Sequence, residues 1–275
     1  MRLETTKGAG MEAKGALAEI FGLERQDEDR FLAPPVESVL PRTYGGQLAA
    51  QSLWAAGMTV APGRPPHSLH SYFVRAGHPE KPVLLEVRGT RDGRSFSTRN
   101  VTASQDGRTI FELIASFHVP EDGDEWQSVR DLGVPPPEGL PSVDITPHIG
   151  RMPDLDIRPV NPPSEEGFPL RQPFWIRVRE PVDDPALHPC LLAYVSDVSS
   201  VDSCRPPGPD RPYAAAASLD HTLWFHRPAR SDEWLLYSLE AVVNHGARGL
   251  ARGGLYTADG ALVASVAQEA LLRPA

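Results

Sequence analysis

The spacing of apolar residues predicts two helices in the first quarter of the chain. Residues 16–23 place apolar side chains at helical spacing, which predicts a short N-terminal helix. Residues 44–60 begin with a glycine pair and continue with Ala, Leu, Gln and Trp, which predicts a longer and largely buried helix. Glycines at the start of that helix would let another group approach its backbone closely.

The pattern changes to one typical of strands over residues 68–119. This stretch is rich in β-branched and aromatic residues, and Gly or Asp-Gly pairs divide it, with a hairpin predicted at Asp106 and Gly107. Between Pro135 and Pro169 the chain contains ten prolines, so neither a helix nor a central strand could continue there for long. We interpret this segment as an interdomain linker that lies over the surface.

The order of a helix followed by strands then occurs a second time. Residues 72–75 (YFVR) match residues 224–227 (WFHR) at an offset of 152, and the pair Asp106-Gly107 matches Asp259-Gly260 at an offset of 153. A helix followed by antiparallel strands, present twice, predicts an α+β duplication. The predicted parts are an N-terminal segment with a short helix, a first repeat, a Pro-rich linker and a second repeat, which span residues 1–30, 31–120, 121–170 and 171–275.

Composition limits the classes of partner and the location. The net charge of −9 argues against a nucleic-acid partner, and no apolar stretch has the length of a membrane span. The N-terminal residues are charged and lack the pattern of a secretory signal, so a cytoplasmic location is predicted. Two cysteines make no disulfide framework, and no compact set of His, Cys and Asp has the spacing of metal ligands, so we predict no metal.

Several stretches of the chain are long and chemically unusual. They are YGGQ (44–47), HSLHSYF (67–73) and RDGRSF (91–96) in the first half, and YVSD (194–197), LDHTLWFH (219–226) and ASVAQE (264–269) in the second. In these stretches, over about residues 40–120 and 190–273, the chain resembles the acyl-CoA thioesterase II family. The resemblance implies an α+β double hot-dog fold, in which each of two repeats wraps an antiparallel sheet around a central helix. It also implies hydrolysis of fatty acyl-CoA to free fatty acid and coenzyme A, with no cofactor.

The resemblance implies three catalytic residues that hold a nucleophilic water: Asp197, Ser218 and Gln268. Ser218 stands where the family more often has Thr, and both side chains offer one hydroxyl of the same donor and acceptor capacity. Taken alone, Asp197 would be a solvated acid at a helix end and Ser218 a hydroxyl at a strand edge. Gln268 is harder to explain structurally, because it interrupts a small, apolar strand at the position of Ala115 in the first repeat (268 − 115 = 153).

Further residues are predicted to bind the substrate. Backbone N–H groups near the glycine pair are suited to a developing oxyanion, and arginines are suited to the phosphates of coenzyme A. The predicted substrate-binding residues are Gly45, Gly46, Gln47, His70 and Arg94.

Three alternatives remain open from the sequence. A nucleophilic triad of Ser218, Asp220 and His221 is disfavoured, because adjacent strand residues point to opposite faces and no G-x-S-x-G motif is present. An enoyl-CoA hydratase-like hot-dog enzyme and a non-catalytic acyl-CoA binding module are the other two. We also expect a homo-oligomer, since hot-dog domains generally assemble in pairs.

Overall fold

The computed structural model describes residues 15–128, 133–150, 152–162, 168–207 and 212–275. Its helices are α1 (Ala16–Phe21), α2 (Gly45–Gly57), α3 (Thr146–Ile149), α4 (Leu187–Val195) and α5 (Ser200–Ser203). Its strands are β1 (Glu24–Asp27), β2 (Arg30–Ala33), β3 (Pro66–Phe73), β4 (Val83–Asp92), β5 (Phe96–Gln105), β6 (Arg108–His118), β7 (Leu155–Pro159), β8 (Phe174–Val178), β9 (Tyr213–Ser218), β10 (Asp220–Phe225), β11 (Leu235–His245), β12 (Arg248–Thr257) and β13 (Leu262–Pro274). In this part of the chain, no helix is long and apolar enough to cross a membrane.

The strands form one antiparallel sheet whose two halves mirror each other. Its order is β1-β2-β4-β5-β6-β3-β10-β13-β12-β11-β8-β7, and β9 pairs with β13 beside this path. Read from either end towards the middle, the path visits equivalent strands of the two repeats and meets where β3 pairs with β10. The duplication predicted from the sequence offsets is therefore present, and the two repeats share a continuous sheet.

The turn between β5 and β6 has the predicted hairpin geometry. Asp106 and Gly107 both have left-handed backbone angles, with φ of 49° and 73°. Two successive residues of this kind make the turn that matches the twist of paired strands, and Asp-Gly adopts it readily. The prediction of a hairpin at this pair is confirmed.

Helices α2 and α4 lie against each other in the core. Ten of the residues of α2 are buried, and all of α4 is buried except Pro189. The hydroxyl of Tyr44, just before α2, donates to the carbonyl oxygen of Tyr194 in α4 at 3.0 Å, and the two rings lie 5.0 Å apart. This contact places the beginning of α2 next to the end of α4.

The proline-rich segment does more than connect the repeats. It contains a 3₁₀ helix at Pro137–Gly139, α3, and the strand β7, which pairs with β8 at the end of the sheet path. The segment therefore differs from the predicted surface linker, because it contributes a strand to the sheet. A strand at the edge of a sheet has only one neighbour, so a proline at its end removes no hydrogen bond to a second strand. Prolines limit the length of elements here but do not prevent them.

Candidate active site

The beginning of α2 holds the carboxylate of Asp197. The Gly46 N–H donates to Asp197 Oδ2 at 2.9 Å, and the Ser200 hydroxyl donates to Asp197 Oδ1 at 2.8 Å. The first N–H groups of a helix have no partner within the helix, and its dipole favours a negative charge at this end. Asp197 therefore serves as an acceptor for α2 although it lies 151 residues further along the chain.

The glycine pair allows this close approach. A Cβ built on Gly45 would lie 2.6 Å from the Phe73 ring and 2.7 Å from Asp197 Oδ2. A Cβ built on Gly46 would collide with the Tyr194 carbonyl oxygen and lie 2.6 Å from the Tyr44 ring. No larger residue fits at either position without displacing the carboxylate or the helix contact.

Burial makes Asp197 more basic than an ordinary aspartate. Desolvation raises the pKa of its carboxyl, while nearby His221, the Ser200 hydroxyl and the Gly46 N–H each act to lower it. The net direction is upward, so the charged carboxylate is held at a cost and accepts a proton more readily than a solvated aspartate. A raised carboxyl pKa in a cavity is a feature of general bases.

A buried chain of side chains reaches the cavity from the second repeat. Gln268 Nε2 donates to Ser218 Oγ at 2.9 Å, and Gln268 Oε1 lies 2.6 Å from His221 Nδ1. On the far side of the ring, His221 Nε2 lies 2.8 Å from Ser196 Oγ. Gln268 and His221 are 1% and 0% exposed, so no bulk water competes for these bonds.

A bend in the chain turns Ser218 towards the cavity. Ser218 ends β9, and after Leu219 the chain continues as β10, while both strands pair with β13. The Leu219 N–H donates to the Glu269 carbonyl oxygen at 2.9 Å, which fixes the bend against the strand that carries Gln268.

One cavity of about 380 Å³ brings several predicted residues together. Asp197, Ser218 and Gly45 line it, and Gln268 lies behind Ser218. Apolar side chains and two arginines that could meet an anionic ligand complete the walls, among them Leu48, Phe73, Ile149, Phe168, Arg42 and Arg75. An aspartate, a serine and the first residue of α2 thus line one space with an apolar wall.

Other predicted binding residues lie elsewhere. Gln47 is buried within α2, where its Nε2 is 3.5 Å from Gln51 Oε1. His70 is exposed on β3, with its ring edge-on to Trp224 at 5.3 Å, and Arg94 is exposed between β4 and β5. These three do not line the cavity beside Asp197, so their contact with substrate stays a prediction.

The geometry of a nucleophilic triad is absent around Ser218. Asp220 Oδ1 accepts the Glu269 N–H at 2.7 Å, and the two ring nitrogens of His221 face Gln268 and Ser196. His221 thus makes no hydrogen bond with Ser218, and Asp220 makes none with the His221 ring. The same strand alternation that disfavoured the triad places His221 on the inner face with Gln268, a pairing that the sequence interpretation missed.

The fold and the site define the class of this protein, an α+β double hot-dog protein with a carboxylate site where α2 meets the end of α4. A solved protein with a hot dog fold from Alicyclobacillus acidocaldarius superposes with a TM-score of 0.72 at 20% identity, covering 96% of this chain and 100% of that one. The predicted fold class is confirmed.

Comparison with known proteins gives the family. The model of the acyl-CoA thioesterase N-terminal domain matches residues 32–118, and that of the C-terminal domain matches residues 120–272. Acyl-coenzyme A thioesterase 8 of Homo sapiens is 36% identical over 92% of this chain and 88% of its own. The crystal structure of acyl-CoA thioesterase II TesB2 from Mycobacterium marinum is 39% identical with a TM-score of 0.80, covering 94% of this chain and 98% of that one. The chain belongs to the acyl-CoA thioesterase II family, and the predicted class of enzyme, a thioester hydrolase, is confirmed.

Proposed function

We propose that this protein hydrolyses fatty acyl-CoA to free fatty acid and coenzyme A by direct attack of a water held by Asp197, Ser218 and Gln268. The observation that carries the proposal is the shared cavity, which is lined by Asp197, whose carboxyl has a raised pKa, and by Ser218, whose hydroxyl accepts from Gln268. Family membership supports the acyl-CoA substrate.

In the proposed mechanism Asp197 acts first as a base and then as an acid. Asp197 accepts a proton from the water as its oxygen attacks the thioester carbonyl carbon, and Ser218, held by Gln268, fixes the water by a further hydrogen bond. The N–H of Gly46 already donates to Asp197 and is not free for the substrate. The N–H of Gly45 is therefore the donor proposed for the oxyanion. When the carbon–sulfur bond breaks, the coenzyme A thiolate takes the proton from Asp197 and the fatty acid is released.

Substitution of Ser218 tests the hydroxyl. We expect Ser218→Thr to retain kcat within about threefold, since the hydroxyl is kept. Ser218→Ala removes the group that Gln268 holds, and we expect kcat to fall about 100-fold, which is typical of losing one well-placed hydrogen-bonding group. The measurement is thiol release from a panel of acyl-CoAs of different chain length. Equal kcat for Ser218→Ala and wild type would remove Ser218 from the mechanism.

The pH profile tests the role of Asp197 as the base. A base must be deprotonated, so kcat/KM should fall as the pH falls through the raised pKa of Asp197. The Ser200 hydroxyl lowers that pKa, so Ser200→Ala should move the acidic limb of the profile to higher pH. Ser203→Ala is the matched control, because Ser203 donates to the Ser199 carbonyl oxygen instead. A limb that moves equally in both variants, or in neither, would contradict the assignment.

The same assays separate the alternatives. Loss of enoyl absorbance without thiol release would indicate a hydratase, and tight binding of acyl-CoA without any turnover would indicate a binding module. A cytoplasmic location and a homo-oligomeric state stay predictions.

A further inference from the structure

His221 lies in the middle of the buried chain that ends at Ser218. Its ring contacts the amide of Gln268 on one side and the hydroxyl of Ser196 on the other, at 2.6 Å and 2.8 Å. The ring is fully buried and does not line the cavity. His221 therefore does not reach the substrate through this cavity, and two routes connect it to the reaction: the amide of Gln268, and the pKa of Asp197, which it lowers.

The donors and acceptors along this chain allow the direction of each bond to be assigned. Gln268 donates its Nε2 hydrogen to Ser218, which leaves its Oε1, an acceptor only, facing His221 Nδ1. Nδ1 must then carry a hydrogen. Burial lowers the pKa of His221, so the ring is neutral and its Nε2 is an acceptor. The Ser196 hydroxyl has two acceptors within reach, the Ala193 carbonyl oxygen at 3.0 Å and this Nε2 at 2.8 Å, and it donates to Nε2 when its hydrogen turns away from the carbonyl.

This assignment has a consequence for the amide of Gln268. An amide rotated by 180° would place Oε1 against Ser218 and NH₂ against Nδ1–H, where two donors would face each other. In the arrangement that the structure has, the Nδ1 hydrogen of His221 and the amide of Gln268 therefore hold each other, with NH₂ pointing to Ser218.

The first repeat shows that the fold does not need this polar pair. Leu69 on β3 and Ala115 on β6 are cross-strand partners. Leu69 corresponds to His221 at the offset of 152, and Ala115 corresponds to Gln268 at the offset of 153. Two apolar side chains fill this place in the first repeat, where a buried histidine and a buried amide fill it in the second. Burying polar groups costs free energy that an apolar pair avoids, so the exchange points to a function.

We propose that His221 is a positioning residue for thioester hydrolysis, which holds the amide of Gln268 with its NH₂ group towards Ser218 and the attacking water. The inference rests on the proposed function and extends it by one residue. In this role His221 exchanges no proton with the substrate. On the plateau of the pH profile, where Asp197 is ionised and its pKa no longer limits the rate, the contribution of His221 should appear in kcat and depend on Gln268.

The experiment compares two nearly isosteric variants in two backgrounds. His221→Leu restores the residue of the first repeat, and we expect kcat to fall about 20-fold, since misplacing a catalytic group by an ångström can cost on the order of 10²-fold. We expect KM to change by less than about twofold, because the residue lies outside the cavity. His221→Asn keeps a donor at the δ position and should recover most of kcat.

The same two substitutions are then made on Gln268→Ala. If His221 acts through the amide, His221→Leu should lower kcat by less than about twofold in this background. Equal losses in both backgrounds would mean an independent structural effect and would overturn the proposal, as would full kcat in His221→Leu. Melting temperatures are measured in parallel to confirm that each variant is folded.

If His221→Leu does not fold, His221→Asn and His221→Asp together test whether the donor at this position orients the amide of Gln268. His221→Asn can donate to Gln268 Oε1, whereas a carboxylate in His221→Asp can only accept and would attract the NH₂ away from Ser218. Both variants are also made on Gln268→Ala, because a new carboxylate at this position acts on Asp197 as well. A kcat that is lower in the Asp variant only when Gln268 is present supports the proposal. Equal kcat in the two variants, or the same deficit without Gln268, overturns it. Failure of the proposed function is distinct, because the wild type itself would then release no thiol from any acyl-CoA.

Discussion

Replacing Asp197 with asparagine should lower kcat about 10³-fold and at the same time raise the melting temperature at neutral pH. The loss of rate follows because an amide cannot accept the proton of the attacking water, and general base catalysis is worth on the order of 10²–10⁴-fold. Asparagine fits the site, since its oxygen can accept the Gly46 N–H and its NH₂ can donate to Ser200 Oγ. The measurements are thiol release at saturating acyl-CoA and thermal unfolding.

The gain in stability has a defined dependence on pH. The pKa of Asp197 is raised in the folded protein, so the folded state binds its proton more tightly than the unfolded state does. Below about pH 3.9, the pKa of an aspartate in the unfolded chain, Asp197 lowers the free energy of unfolding of the wild type only a little. As the pH rises from there through the folded-state pKa, ionisation of the buried carboxyl lowers this free energy progressively more. The difference in melting temperature between Asp197→Asn and wild type should therefore widen from acidic to neutral pH.

Asp232 provides a control of opposite sign. Arg230 and the Val182 N–H hold its pKa below the usual value despite partial burial, so its charged form stabilises the fold. Asp232→Asn should lower the melting temperature at neutral pH and leave kcat close to that of wild type. Full activity in Asp197→Asn would exclude Asp197 as the base. A difference in melting temperature between Asp197→Asn and wild type that narrows with rising pH would contradict the raised pKa.

Local patterns and the repeat predicted most of the elements. Residues 44–60 and the Asp106-Gly107 hairpin were predicted from period and turn chemistry alone, because both signals are local. The two offsets predicted the duplication, because matching residues occur at nearly the same spacing within both repeats. The pairing of β3 with β10 was not predicted from residue patterns, because it joins segments about 150 residues apart and depends on non-local packing.

The contacts of the site needed the structure for the same reason. The asymmetry between Gln268 and Ala115 is visible in the sequence, but the bond from Gly46 to Asp197 joins residues 151 apart at a helix contact. His221 could have been found by extending the offsets, because its counterpart Leu69 is apolar. That step requires knowing that His221 and Gln268 share a face of paired strands, and the sequence alone does not provide the register.

The contact between α2 and α4 also depends on a residue without a side chain. The backbone of Gly46 lies against the Tyr194 carbonyl oxygen, and the Tyr44 ring closes the other side. Asp197 lies two residues beyond the end of α4, so any outward movement of α2 separates the Gly46 N–H from the Asp197 carboxylate. Under the proposed mechanism, packing and catalysis are therefore coupled at this glycine.

Gly46→Ala should for this reason lose both stability and activity. Overpacking at a rigid backbone contact costs about 1–3 kcal/mol in the free energy of unfolding, and a shift of α2 by an ångström is expected to lower kcat about 100-fold. Gly57→Ala is the matched control at the other end of α2, where a Cβ would lie 4.0 Å from the Phe117 ring. Alanine there should stabilise the helix by about 0.5 kcal/mol and leave kcat unchanged. Chemical denaturation and thiol release measure the two effects, and a Gly46→Ala protein as active as Gly57→Ala would show that the helix contact does not position the base.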